Sequence, residues 1–234
     1  MSHPYPDPET VTRQRTEAFA QFHAWVADPL ALAVDAETTS LEGEAWEIAA
    51  GRVGHPTPAL HLRGEPRTEW GERALAMQAA DIREQLRGLP HLSVHAGELD
   101  ALLRSHHPVA WREEFDRAAI ERTCGLHGLP KFADAMEAYA PLAGRWSKSK
   151  GLWKFVKLEE ACELEGVPME DVRVHSAPGD VLLLTRLIQA VARRSPESYS
   201  RALEARPAGE SLASVLDLDT WTETTTHTTR REIN

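Results

Sequence analysis

A short apolar run followed directly by two carboxylates constrains the fold of this chain more than any other feature. Leu30 to Val34 are all apolar and lie between Pro29 and a polar stretch, a pattern typical of a buried central strand. Side chains two positions apart in a strand point the same way, so Asp35 and Glu37 would share one face at the edge of a core. Paired carboxylates resist removal from water, and a divalent cation would neutralise them. On this pair alone, a strand that runs out into solvent is the simpler interpretation.

The order of the other elements indicates a layered α/β or α+β domain. The patterns predict helices at 9–25, 72–86, 98–104, 115–126, 157–165 and 181–192, and strands at 30–35, 46–53, 59–62 and 108–111. A breaker-rich Gly-His-Pro-Thr-Pro separates the second and third strands, which predicts an antiparallel meander. Strands early in the chain and helices later fit one sheet covered by helices.

The chain divides into three parts by character. We expect residues 1–27 to form an N-terminal helix that packs on the core, and residues 28–194 to form the main domain. We expect residues 195–234 to form a partly irregular extension, with one helix near 199–205 and a Thr-rich end.

Composition excludes several classes of protein. The 234 residues include 26 Lys+Arg and 36 Asp+Glu, and the resulting net charge of −10 does not favour electrostatic binding of nucleic acid over the whole surface. The longest clean apolar run has five residues, far below the roughly 20 that a membrane-spanning helix needs. The first residues resemble no secretory signal, so a cytoplasmic location is the expectation. Two cysteines, Cys124 and Cys162, are too few for a disulfide framework or a structural zinc site.

Three short motifs, in order along the chain, carry the candidate chemistry. In the first, Val-Asp-Ala-Glu-Thr-Thr-Ser-Leu, the apolar strand runs into Asp35 and Glu37. The second is a Phe followed by Asp116 at the start of a predicted helix, and the third is His175-Ser-Ala-Pro-Gly-Asp180 before another helix. Taken singly, an Asp in a first helical turn is explained by the helix dipole, and a lone His in a loop is more often structural.

In this order and spacing the motifs resemble those of the DnaQ-like, DEDD-type 3′→5′ exonucleases, over roughly residues 10–193. The five-position spacing of His175 and Asp180 resembles the DEDDh branch of that superfamily. The chain departs from the pattern where Ser40 replaces a Gly, where Arg112 replaces an Asn, and where Pro-Gly occupies the third motif.

The resemblance implies an RNase H-like α/β fold, in which helices flank a mixed central sheet of about five strands that begins with an antiparallel meander. It also implies two Mg²⁺ or Mn²⁺ ions and a two-metal-ion hydrolysis that removes nucleoside 5′-monophosphates from 3′ ends, with His175 as general base. The implied metal ligands are Asp35, Glu37, Asp116 and Asp180. The implied contacts to the terminal nucleotide are Thr38, Thr39, Leu41 and Arg112.

A basic run offers a second route to nucleic acid. Its cations are Arg145, Lys148, Lys150, Lys154 and Lys157, interleaved with Trp146 and Trp153. Cations for phosphates and aromatic rings for stacking are typical of a single-strand track, with Lys148 and Lys150 as substrate contacts. A solvated loop that carries two core tryptophans explains the same residues equally well.

The leading hypothesis is therefore a metal-dependent 3′→5′ exonuclease that acts on single-stranded DNA or DNA 3′ ends, in proofreading or repair. An RNase or oligoribonuclease of the same superfamily is an alternative, because the metal ligands would be the same and discrimination rests on the ribose 2′-hydroxyl. A catalytically silent nucleic-acid-binding scaffold is a third, although all five catalytic positions are filled. In the tail, residues 214–218 resemble the core of peptides that dock on the sliding clamp, which suggests a clamp or polymerase partner or a segment that packs on its own domain.

Overall fold

A five-stranded sheet forms the centre of the computed structural model, which describes residues 3–55 and 58–194. The strands are β1 (Ala31–Thr38), β2 (Ala45–Arg52), β3 (Leu60–Arg63), β4 (His107–Ala110) and β5 (Ala133–Asp134). Their order across the sheet is β3-β2-β1-β4-β5. The first three strands pair antiparallel, whereas β4 lies parallel to β1 and β5 parallel to β4. The mixed sheet with its initial meander confirms the predicted fold class.

Helices cover both faces of this sheet. They are α1 (Pro8–Ala27), α2 (Glu72–Met77), α3 (Ile82–Leu86), α4 (Ala96–Ser105), α5 (Glu113–Cys124), α6 (Ala135–Ala143), α7 (Leu158–Glu165) and α8 (Ala177–Ala192). A small hairpin of β6 (Trp146–Ser147) and β7 (Leu152–Trp153) lies between α6 and α7. In the part of the chain that is described, no helix has both the length and the apolar content needed to cross a membrane.

The alternating side chains of β1 divide the core into two layers. Ala33 belongs to a buried cluster with α1, α6, α7 and α8, whereas Val34 belongs to a cluster on the opposite face with α4 and α5. Asp35 and Glu37 continue the series that contains Ala33. The strand therefore carries both carboxylates on the face that α8 covers.

The N-terminal helix α1 packs on this same layer. Phe19, Phe22 and Trp25 are buried, and the ring of Phe22 lies 6.3 Å from that of Tyr139 on α6. The expectations for residues 195–234, namely a helix near 199–205 and the clamp-peptide resemblance at 214–218, lie outside the described residues.

The single helix predicted over residues 72–86 is wrong. The structure has two short helices, because α2 ends at Met77, Gln78 adopts an extended conformation (φ −109°, ψ 167°), and α3 begins at Ile82. None of the side chains of α2 is buried, whereas Ile82 packs on the buried Trp46. α3 is thus anchored by buried side chains, whereas α2 contributes only the partly buried Leu75 to the same cluster. Gln78, in the chain between the two helices, lines the site described below.

Among the elements that extend further than predicted, β1 and α8 affect the candidate site. β1 continues to Thr38, so the two carboxylates lie within the strand. α8 begins at Ala177, where Pro178 occupies the first turn and the Ser176 side chain accepts the Gly179 N–H. Proline is tolerated in a first helical turn, because the N–H that it lacks would have no partner there.

Candidate functional site

Three carboxylates from two distant parts of the chain meet at the end of β1. Asp35 and Glu37 lie on one face of the strand, and the register with β2 shifts directly after Glu37. Asp180 lies in the first turn of α8. One carboxylate oxygen of each residue lies within 4.8 Å of those of the other two. Hard oxygen ligands at this spacing suit Mg²⁺ or Mn²⁺.

Asp116 joins this group from the first turn of α5. It is 3% exposed, and its Oδ1 accepts the backbone N–H of Ala36 at 3.0 Å. Ala36 lies between Asp35 and Glu37, so this hydrogen bond fixes Asp116 against the middle of the β1 motif. The structure thus brings together all four carboxylates that the three motifs supplied.

Burial and mutual repulsion raise the pKa of all four carboxyl groups. Removal from water is the largest cause in each case, and neighbouring negative charges add to it. The pKa of Asp35 is raised well above its ordinary 3.8, and that of Glu37 rises from 4.5 to about 8. The pKa of Asp116 rises from 3.8 to about 8, and that of Asp180 from 3.8 to about 7.

The chain's own cations leave this negative charge largely uncompensated. Within residues 3–55 and 58–194, the ion pairs of Lys, Arg and His involve other carboxylates. Arg173 lowers the pKa of Glu37, but this effect is smaller than that of burial and than those of the neighbouring carboxylates, which raise it. Buried carboxylates are costly unless they are paired or coordinate a metal. The donor set therefore fits divalent cations.

His175 occupies the turn that leads into α8. Its φ of 57° lies in the left-handed region, which is uncommon for a residue with a Cβ. The ring Nε2 lies 3.6 Å from Oε1 of Glu159 on α7, and the side chain is 35% exposed. A hydrogen bond from the His175 backbone lowers the pKa of Asp180 in part. The backbone of His175 thus contacts the carboxylate cluster, and its imidazole is accessible to solvent.

A cavity of about 840 Å³ collects these groups. The motif residues that line it are Asp35, Glu37, Asp116, His175 and Asp180. Of the predicted substrate contacts, Thr38, Leu41 and Arg112 line the same cavity. Leu41 is 68% exposed, as a side chain that meets a ligand could be. The Arg112 guanidinium lies 5.8 Å from the centre of the Phe115 ring.

Thr39 is a predicted contact that does not line this cavity. Its N–H donates to the Glu44 carbonyl at 3.0 Å, and its carbonyl accepts the Gly71 N–H at 2.8 Å. Its hydroxyl shares a hydrogen bond of 2.8 Å with that of Thr68. Thr39 therefore braces the turn after β1, and its polar groups are occupied within the protein.

Lys148 and Lys150 also lie away from the cavity, in the turn between β6 and β7. The tryptophans of this hairpin are occupied in packing: Trp153 is 7% exposed, and the rings of Trp146 and Trp153 lie 5.2 Å apart and both contact Tyr5. This agrees with the interpretation of core tryptophans in a solvated loop. The lysines are exposed all the same.

Two residues that the motifs did not indicate also belong to the site. Glu47 pairs with Glu37 across β1 and β2 and is 5% exposed. One of its oxygens accepts the Ala177 N–H at 2.9 Å, and the other lies 3.4 Å from Nε of Arg63. Gln78 donates to both the His175 carbonyl and the Glu37 carboxylate. No spacing in the sequence connects either residue with the motifs. The predicted meander places Glu47 opposite Glu37 only when the register between the first two strands is known.

Replacement of Glu47 by alanine should destabilise the protein by about 1–3 kcal/mol, because it leaves the buried Ala177 N–H without its acceptor and Arg63 without its ion-pair partner. Chemical denaturation of the variant and the wild type would measure this effect. Glu65→Ala is the matched control, since exposed Glu65 also accepts a backbone N–H, that of Gly88 at 2.8 Å. Equal effects of the two substitutions would remove Glu47 from the support of the α8 start.

No family model and no curated protein matches this sequence. Among solved structures, the chain is similar to that of Exonuclease X in complex with 5′ overhanging duplex DNA, with 16% sequence identity and a TM-score of 0.51. The similarity covers 71% of this chain and 95% of that one. At this level of identity the likeness shows the fold, and it confirms the RNase H-like architecture with a mixed sheet and flanking helices.

Proposed function

We propose that this chain is a metal-dependent 3′→5′ exonuclease that removes nucleoside 5′-monophosphates from DNA. One observation carries the proposal: four carboxylates and a histidine from three separate motifs line one cavity. DNA is proposed as the substrate because the fold is shared with an exonuclease whose structure includes DNA.

In this proposal the four carboxylates hold two Mg²⁺ or Mn²⁺ ions, with the close group of Asp35, Glu37 and Asp180 as its centre and Asp116 beside it. Divalent ions held by these residues would supply a water of lowered pKa and would stabilise the leaving oxygen of a phosphodiester. His175 accepts the proton of the attacking water on its imidazole. Oε1 of Glu159 lies 3.6 Å from Nε2 and would orient the ring.

The terminal nucleotide would occupy the remainder of the cavity. Leu41 offers an exposed apolar side chain to the base, and the backbone at Thr38 lies beside the carboxylates. The guanidinium of Arg112 suits a phosphate, because among the described residues it forms no ion pair with a carboxylate of the protein. Thr39 would act indirectly, by holding the turn that carries these contacts.

The lysines of the hairpin are proposed to hold the strand beyond the cavity. Four of the five lysines of the chain lie within residues 148–157, in a protein of net charge −10. Lys157 is the N-cap of α7, two positions before Glu159, so the run leads to the edge of the site.

Combined substitution of Lys148 and Lys150 by alanine should weaken binding of single-stranded DNA and flatten its salt dependence, by roughly 0.7 in the logarithmic slope for each phosphate that the variant no longer neutralises. Fluorescence anisotropy at several salt concentrations would measure the slope. Lys131→Ala is the control, because this exposed lysine lies outside the run. An unchanged slope in the double variant would remove these lysines from substrate binding.

The direct test of the function is incubation of the purified protein with Mg²⁺ or Mn²⁺ and 5′-labelled oligonucleotides. The set comprises single-stranded DNA, duplex DNA with a 5′ overhang, and RNA of the same sequence. A ladder that shortens from the 3′ end of the DNA is the expected result. Faster shortening of the RNA would favour the RNase alternative, and binding without any ladder would favour the scaffold.

A further inference from the structure

Gln78 lies at the point where the chain leaves α2, and its side chain connects two parts of the site. Its Nε2 donates to the backbone carbonyl of His175 at 3.0 Å and to Oε2 of Glu37 at 3.3 Å. The residue is half-buried and lines the cavity of about 840 Å³. One amide group thus bridges the proposed base and a proposed metal ligand.

The turn at His175 requires such support. A left-handed backbone costs a residue with a Cβ roughly 1–2 kcal/mol, so surrounding contacts must hold it. Glu47 holds the same turn from the other side, through the N–H of Ala177. Gln78 acts on the carbonyl of the strained residue itself, which sets the direction of the peptide that follows His175.

The chemistry of an amide suits the other end of the bridge. A Lys or Arg at this position would neutralise Glu37 and compete with a cation for it. A neutral amide donates a hydrogen bond to one oxygen of Glu37 and leaves the negative charge of the carboxylate in place. The other oxygen of Glu37 keeps its lone pairs for a metal ion. Since both acceptors share one nitrogen, the position of Glu37 becomes dependent on that of the His175 turn.

We propose that Gln78 is a positioning residue that holds Glu37 and the His175 turn in register with each other. This inference rests on the proposed function, because it assigns a role in the same site. Hydrogen-bond partners of metal ligands typically change metal affinity or activity by about 10–100-fold when they are removed. A residue that served only to end α2 would affect stability and nothing else.

Gln78→Met tests the proposal, because methionine keeps the length of the side chain and removes the donor. Mn²⁺ alone is titrated into the wild type and the variant by calorimetry, and kcat and KM are measured on single-stranded DNA. We expect Mn²⁺ affinity and kcat each to fall by about tenfold or more while KM changes little. Gln189→Met is the matched control, since this half-buried glutamine also donates to a backbone carbonyl, that of Val53 at 2.7 Å, away from the cavity.

The proposal would be overturned if Gln78→Met bound Mn²⁺ as tightly as the wild type does. It would also be overturned if Gln78→Met and Gln189→Met lost the same thermal stability and both kept the wild-type kcat. Mn²⁺ affinity and cleavage kinetics together distinguish a failure of this inference from a failure of the proposed function. If the wild type cleaves no substrate, the proposed function fails, and the Mn²⁺ titration still decides the role of Gln78. If the wild type binds no Mn²⁺, both fail.

Discussion

Asp35→Asn should reduce cleavage of DNA by at least about 10³-fold, which corresponds to roughly 4 kcal/mol less transition-state stabilisation. Asp35 is surrounded by the carboxylates of Asp116, Asp180 and Glu37, so it lies at the centre of the cluster. Asparagine preserves the size of the side chain and removes its negative charge. The variant should therefore lose metal-dependent chemistry and keep the fold.

Single-turnover cleavage of a labelled oligonucleotide at saturating Mg²⁺ would measure this effect. Asp100→Asn is the control, because Asp100 lies on α4 and pairs with Arg104 outside the cavity. It should behave as the wild type. Activity of Asp35→Asn within tenfold of the wild type would contradict a catalytic role for the cluster.

The same cluster should make the metal-free protein less stable as the pH rises. The carboxyl groups of Glu37, Asp116 and Asp180 have pKa values of about 8, 8 and 7 in the folded chain, against ordinary values of 4.5, 3.8 and 3.8. Between these values the folded protein binds more protons than the unfolded chain, so unfolding releases protons. The free energy of unfolding therefore falls as the pH rises from about 4 through about 8.

Carboxyl groups with a lowered pKa change the free energy of unfolding in the opposite direction, and they do so over a different range of pH. The Arg186 guanidinium lowers the pKa of Asp171 to about 2, and a hydrogen bond from His107 lowers that of Asp28. Their contribution is complete once the pH exceeds the ordinary value of 3.8 and does not change between pH 6 and pH 8.5. Histidine–carboxylate pairs such as His107–Asp28 also weaken as the pH rises through this upper range, but they are the same in the wild type and in Asp35→Asn. The part of the fall that Asp35→Asn removes can thus be assigned to the site.

Thermal unfolding in the presence of a chelator should show a Tm that falls between pH 6 and pH 8.5, and Mn²⁺ should raise the Tm more at the higher pH. Asp35→Asn should raise the metal-free Tm at pH 8, by about 2–4 °C for each kcal/mol of repulsion relieved. The substitution that abolishes activity should thus stabilise the empty fold. A Tm that stays constant with pH, or a less stable Asp35→Asn, would contradict this electrostatic description.

Much of the fold, and the placement of the candidate site residues, could be predicted from local patterns. The period-two alternation of a buried strand is enough to place Asp35 and Glu37 on one face. Asp116 and Asp180 each precede or begin an apolar helical pattern, which places both in first helical turns. These are properties of a few consecutive residues, and tertiary packing did not change them.

The residues that the sequence did not reveal depend on contacts between distant segments. Gln78 reaches Glu37 and His175 because α2 has no buried side chain and ends early, which the helical pattern of 72–86 did not indicate. Glu47 depends on strand register, and a shift by one residue would reverse the face of every side chain. Trp146 and Trp153 fit a stacking track by composition, yet packing with Tyr5 occupies both rings.

The identity of the released product tests the central claim most directly. Unlabelled single-stranded DNA is incubated with wild-type protein and Mg²⁺, beside Asp35→Asn, and the small products are separated and weighed by mass spectrometry. We expect nucleoside 5′-monophosphates that accumulate from the first minutes with the wild type and are absent with the variant. Nucleoside 3′-monophosphates, or equal product from the two proteins, would contradict a carboxylate-held metal site that cleaves the bond to the leaving 3′-oxygen.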